Sequence, residues 1–267
     1  MSSSRNNVVN VFDAFRIDLD EHNDRRERLI KSSRDITNLS KKVIFLLHRV
    51  MTTDDVSTAD KDDRNARAAA QGREKLKEIQ KLFAAVGAEV QGDRFWRYQR
   101  NVSPGLQEYI EALSFTHYLE TGKLISYDEV QQSLTGELGE SYFPLTTEDY
   151  LLGLSDLTGE LMRYAISSIS QRGGRMKANE VCTFVRNCKS DFEVFTPHFR
   201  ELRKKQSVTS SSLEKIEDAA YAIAVRASEY DVPPEMLDDI IVRSVTSEDG
   251  GSRNRRGYDD GGYDHDY

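Results

Sequence analysis

Proline and glycine are scarce in this chain, 5 and 16 among 267 residues. Both interrupt helices, so long stretches without either argue for long helices and against a sheet-rich fold. Cysteine is scarcer. Cys182 and Cys188 supply no disulfide framework and no zinc-ligand spacing, and on one helix they would point to opposite sides. No apolar run reaches about 18 residues, which excludes a membrane-spanning helix. The opening MSSSRNNVVN lacks the apolar core of a secretion signal. The expectation is an intracellular protein in a reducing compartment, cytoplasmic and also nuclear, with no membrane partner. An excess of positive charge is missing too. At a net charge of −8, a chain that handles nucleic acid does so through a local site or a basic partner.

What is present is helical periodicity. Residues 11–51 read as one long helix, with the apolar run VIFLLHRV at 43–50 long enough to meet a partner. The polar, acidic segment 52–63 is a loop, and 64–90 resume a helix striped by Leu76, Ile79, Leu82, Phe83 and Val86. Pro104 and Gly105 predict a helix start nearby. Residues 128–134 form a short helix or turn, 135–147 a loop, and 148–170 a helix. Another helix covers 177–203 with a break at Pro197. Ser211 and Glu214 have the spacing of a capping box and predict a helix start there, running to about Tyr230. Pro233 and Pro234 open a last short helix through Ile241. The Gly- and Tyr-rich end cannot bury a core. The predicted fold is all-α: a single helical-bundle domain of about six or seven helices over residues 10–245, with a disordered tail at 246–267.

Two predicted helices carry carboxylates in unusual company. In LQEYIEALSFTHYLE (106–120) the helix is apolar nearly all round, which marks it as central. Glu108 and Glu111 lie about 60° apart on its wheel, so they point into something other than bulk water. In DYLLGLSDLTGELMRYAIS (149–167), Leu154, Leu157, Leu161 and Ala165 form an apolar face. The other face carries Asp149, Gly153, Asp156, Glu160, Arg163 and Ser167. Asp156 and Glu160 are neighbours at i, i+4, and Gly153 leaves room beside them. If the two helices pack face to face, four carboxylates converge. Such a cluster repels itself unless protonated or joined by a cation. An all-oxygen set suits Mg²⁺ or Mn²⁺. Histidine ligands are missing, because neither Glu111 nor Glu160 is followed at i+3 by His, and a di-iron bundle is excluded. The plainer reading is that these carboxylates are solvated or paired, Asp156 and Glu160 with Arg163 and another basic residue. Glu108, near a predicted helix N-terminus, is favoured there in any case.

The stretch RFWRYQR (94–100) interleaves Arg94, Arg97 and Arg100 with Phe95, Trp96 and Tyr98. Arginine beside aromatics suits phosphate contact and base stacking on a single strand. It equally suits an amphipathic helix start with a solvated arginine face. The basic groups at 24–28 and at Lys41 and Lys42 are interspersed with acids.

Five runs taken together resemble one family: ERLIKSSRDIT (27–37), SKKVIFLLHR (40–49), LQEYIEALSF (106–115), DYLLGLSDLTGELMR (149–163) and SLEKIEDAAYAIAVRASE (212–229). In this order, spread over about residues 12–243, they look like the translin-associated protein X branch of the translin family. The resemblance implies an all-α translin-like fold and assembly with translin into a hetero-octamer. It further implies a catalytic subunit of a Mg²⁺-dependent endoribonuclease, with Mn²⁺ as the alternative ion. The substrate class implied is single-stranded RNA or small RNA fragments, as in passenger-strand or transfer-RNA-fragment processing, with single-stranded DNA also bound. The family's Gln-Glu-Tyr-x-Glu and Asp-Leu-Thr-Gly-Glu motifs are intact at 107–111 and 156–160. They assign Glu108, Glu111 and Asp156 to catalysis and the same three with Glu160 to the metal; Arg94, Arg97 and Arg100 are the nucleic-acid-binding candidates. Translin itself lacks this carboxylate set. The chain departs from the pattern in a short 135–147 loop and in its tail. The other implied role is a non-enzymatic adaptor that stabilises translin and binds nucleic acid or protein partners.

Overall fold

A computed structural model of the chain describes residues 2–52, 61–136, 139–169 and 174–230. They form seven α-helices: α1 (Ser2–Thr52), α2 (Lys61–Glu89), α3 (Arg94–Thr121), α4 (Tyr127–Ser133), α5 (Thr147–Ile169), α6 (Gly174–Phe195) and α7 (Arg200–Tyr230). Among the described residues there is no strand, only an isolated antiparallel bridge between Thr135 and Ser141. The predicted helix 233–241 and the tail lie outside the described residues. No described helix is long and apolar enough to cross a membrane.

The chain divides into two compact units, residues 1–161 with 185–212, and residues 162–184 with 213–267. In the first, α1, α2 and α3 pack on one another. Their seams include Val43 and Leu47 of the predicted run on α1, joined by Leu29 and Ile36, and Leu76, Ile79, Phe83 and Val86 of the predicted stripe on α2. The central helix is α3, where every residue from Tyr109 to Leu119 is buried. Of the run 43–50, Val43, Ile44 and Leu47 are buried and Phe45 is exposed. Further exposed apolar side chains of α1 lie earlier, at Val11, Phe12, Phe15, Ile17 and Leu19. The second unit buries Ala165, Ile169, Val181, Cys182 and Ile216. Cys182 and Cys188 are buried thiols, not joined in a disulfide.

Two predicted helix starts are overturned. Pro104 lies inside α3, which begins ten residues earlier at Arg94. A mid-helix proline removes one ladder bond and costs about 3 kcal/mol in isolation. Here Ser33 of α1 bridges the interruption. Its Oγ accepts the Gly105 N–H at 3.1 Å and donates to the Val102 carbonyl at 3.3 Å. A Cβ at Gly105 would sit 2.8 Å from the Ser33 carbonyl oxygen, so glycine permits the approach. Nor does a helix start at Ser211, because α7 runs unbroken from Arg200. Ser and Thr suggest a break by competing for backbone groups. In α7 they bond back along the helix instead, Ser207 Oγ to the Lys204 carbonyl at 2.8 Å and Thr209 Oγ1 to that of Lys205 at 3.4 Å.

The other boundaries fall where local chemistry places them. Gly122 ends α3 at φ 69°, its N–H on the Tyr118 carbonyl. Ser126 and Glu129 form a full capping box on α4. The chain breaks between α6 and α7 around Pro197 as predicted. The loop before α5 folds over α2. There Phe143 is buried against Phe83 and Phe95, with ring centroids 5.2 and 5.6 Å apart.

Candidate functional site

The crossing of α3 and α5 decides where the carboxylates meet. Gly153 stands at that crossing. A Cβ there would lie 2.7 Å from Cβ of Ile110 and 2.9 Å from the Gln107 carbonyl oxygen. Only a hydrogen at this position lets the helices approach so closely, and one turn further along each helix stand Glu111 and Asp156.

Glu111 is only 9% exposed. Its carboxyl is pushed up from 4.5 to about 8, first by burial and then by the negative charges of Asp156, Glu160 and Glu108, with Lys205 pulling the other way. Asp156, Glu160 and Glu108 thus lie close enough to act on Glu111, and the close contact of Gly153 with Ile110 and Gln107 shows α3 and α5 packed on each other as the helical wheels led one to expect. Among the described residues, however, no three His, Cys, Asp or Glu side chains are drawn together tightly enough to form a ready coordination shell.

Three of the four have basic partners from other helices. Lys41 of α1 lies 3.3 Å from Glu108 Oε1. Lys205 of α7 binds Asp156 Oδ2 and reaches the Leu152 carbonyl at 3.4 Å. His48 of α1 places Nε2 2.6 Å from Glu160 Oε2. The partners of Asp156 and Glu160 found here are thus Lys205 and His48, and a histidine does stand in the cluster. Its ring packs on Phe115 with centroids 4.9 Å apart. Sequence reasoning looked for histidine only at i+3 from each glutamate and missed one 112 residues away. Lys41 and His48, seven residues apart, share a helix face. Periodicity shows that much, but not that this face meets α3 and α5.

Asp149, read as part of the carboxylate face, is not in the cluster. It is 1% exposed and fully occupied near the N-terminus of α5. Its Oδ1 accepts from Ser103 Oγ and from Gln107 Nε2 at 2.8 Å; its Oδ2 accepts from Thr146 Oγ1 at 2.7 Å and Gln99 Nε2 at 3.4 Å. Thr146 Oγ1 in turn accepts the Asp149 N–H at 3.1 Å. This is a structural anchor that ties the start of α5 to α3.

Arg94, Arg97 and Arg100 are exposed on the first turns of α3, while Phe95 and Tyr98 between them are buried. The Arg97 guanidinium sits 5.9 Å from the centre of the Tyr98 ring. Among the described residues, none of these arginines is paired with a carboxylate. Arg97 is eleven residues before Glu108, ~16 Å along the helix. The basic groups in contact with the carboxylates are Lys41, Lys205 and His48.

The family model for the translin family matches residues 24–227. The chain belongs to the translin family. Translin-associated protein X of Rattus norvegicus is 35% identical over 261 residues, covering 90% of this chain and 85% of that protein. Translin of Gallus gallus is 28% identical over 155 residues, covering 58% of this chain and 67% of that protein. Among solved translin-like folds, AfC3PO in a complex with duplex RNA superposes with a TM-score of 0.58 at 20% identity, covering 82% of this chain and 98% of that one. The all-α fold is thus that of the family.

The donor set fits a hard divalent cation. It is oxygen-rich, it draws on two helices, and a cation beside its buried member, Glu111, would favour the charged form that burial and the neighbouring carboxylates disfavour.

Proposed function

We propose that this chain is the catalytic subunit of a metal-dependent endoribonuclease, assembled with translin in a hetero-octamer and acting on single-stranded RNA or small RNA fragments. The observation that carries the proposal is Glu111, a carboxyl raised to about 8 first by burial and then by three carboxylate neighbours gathered around it. A stability role alone gives no reason to gather like charges around a buried group. Similarity to translin-associated protein X over 90% of the chain supports the assembly and the reaction class, and the RNA in the complex of AfC3PO supports RNA as the ligand.

Glu108, Glu111, Asp156 and Glu160 would hold the ion. Bound Mg²⁺ or Mn²⁺ supplies the charge against which a phosphodiester and an attacking water are activated. His48 holds Oε2 of Glu160. Lys41 and Lys205 neutralise Glu108 and Asp156 in its absence. Beside a bound ion, the ammonium groups of Lys41 and Lys205 would stand where the non-bridging oxygens of a phosphodiester gain negative charge. Arg94, Arg97 and Arg100 lie further up α3 and serve the strand, not the reacting phosphate.

A second reading has its own support. Three carboxylates already have basic partners, and no three ligands stand together, as befits an adaptor with structural ion pairs. The complex with translin separates the two. Glu111→Ala and Asp156→Ala should each assemble, bind RNA and fail to cleave it in Mg²⁺. Assembly with cleavage at the wild-type rate would refute the catalytic reading.

A further inference from the structure

Trp96 is 70% exposed, although Phe95 and Tyr98 beside it are buried. It borders a cleft of about 360 Å³ with Gly87, Gln91, Gly92, Tyr142 and Pro144. The cleft is built. Gly92 takes a left-handed φ of 64° to turn the chain from α2 into α3. A Cβ at Gly87 would fall 2.0 Å from the Tyr142 carbonyl oxygen, so glycine alone lets the 139–145 loop close the far wall. The result is an aromatic-walled slot, large enough for a planar ring and without a charged side chain in its lining.

The surroundings say what kind of ring. Residues 94–100 carry three arginines and no acid. On the wheel of α3, Trp96, Arg97, Arg100, Pro104, Glu108 and Glu111 fall within about 120° of arc. That arc is also the face of α3 that reaches solvent. Trp96, Arg97, Arg100 and Pro104 are exposed and Glu108 is half-buried, while the opposite face is sealed. One strip thus runs from an exposed indole, past two unpaired guanidinium groups, to the carboxylate cluster.

We propose that this cleft is a nucleobase-stacking subsite for single-stranded nucleic acid, with Trp96 as the platform and Arg97 and Arg100 on the adjoining phosphates. The inference rests on the nuclease reading and adds where the strand lies. From Trp96 to Glu111 the helix rises ~22 Å, about six nucleotides of a stacked strand at ~3.4 Å each. The base held by Trp96 is therefore several nucleotides away from the phosphate at the carboxylates.

Trp96 is the one tryptophan of the chain, so its emission reports on the cleft directly. The full chain is titrated with a labelled oligouridylate in EDTA, reading tryptophan emission and label anisotropy together. Emission should be quenched in step with binding. Trp96→Ala should weaken binding at least about fivefold, in the chain and in its complex with translin, while Trp96→Phe keeps most of the affinity. Unchanged melting temperatures show that both variants fold. If RNA binds with emission unmoved and Trp96→Ala binds like wild type, the subsite is overturned and the nuclease reading stands. Emission that responds to translin and not to RNA makes the cleft a protein interface and likewise overturns it. If neither chain nor complex binds RNA, the nuclease reading fails and the subsite with it.

Discussion

Replacing Glu111 by Gln tests the carboxylate cluster without a nuclease assay. The amide keeps the shape of the side chain but has no proton to lose. In the wild type the folded carboxyl titrates at about 8 against an ordinary 4.5. Between those values the folded protein keeps a proton that the unfolded chain has released. The resulting stability is whole below about pH 4.5 and is lost as the pH rises through about 8. At ~1.36 kcal/mol per unit the shift has a ceiling near 5 kcal/mol. Relaxation of the side chain and its neighbours lowers this to ~2 kcal/mol. At ~2–4 °C per kcal/mol for a chain of this size, metal-free Glu111→Gln should melt ~4–8 °C above wild type at pH 8.5, with the gap closing by pH 5. Comparing variant with wild type at each pH cancels the pH dependence of groups that do not act on Glu111. Mg²⁺ or Mn²⁺ should raise the wild-type melting temperature at pH 8.5 and leave the variant nearly unmoved. A gap that does not change with pH, or a variant less stable throughout, would show that the neighbouring charges do not act on Glu111 as described.

Two further substitutions probe what holds the site in place. Gly153→Leu drives a side chain into Ile110 and the Gln107 carbonyl and should cost ~2–3 kcal/mol; a melting temperature within a degree of wild type would mean α3 and α5 do not cross there. Asp149→Ala orphans Ser103, Gln107 and Thr146 and should cost ~2–4 kcal/mol in urea denaturation. Asp156→Ala, whose half-exposed carboxylate leaves only the accessible Lys205 behind, should cost under ~1 kcal/mol. Equal losses at the two positions would refute the division between anchor and site.

The difference between these two aspartates marks what can be read from one chain. Asp149 and Asp156 occupy the same face of one helix, and periodicity treats them alike. What separates them is the packing of α3, which presents Ser103, Gln107 and Gln99 to the first and Glu111 to the second. The helices themselves were legible from sequence, because an apolar stripe at helical spacing can be buried in few other ways. So was the centrality of α3, apolar nearly all round. The two false starts, at Pro104 and at Ser211, arose where local signals say stop and the helix runs on, with hydroxyls bonded to backbone groups nearby. Ser33 does this beside Pro104, reaching Gly105 from 72 residues away.

Sequence by itself determined that Glu108 with Glu111, and Asp156 with Glu160, share helix faces, since a fixed rise and turn per residue leave no other arrangement. It also determined family membership, through motifs spread along the chain. Tertiary structure alone decided that these faces meet, that a glycine-permitted crossing brings them close, and that His48, Lys41 and Lys205 are their partners. Periodicity says which way a side chain points from its own axis. What stands opposite depends on how the helices are placed in space, and here that joins residues up to 112 positions apart.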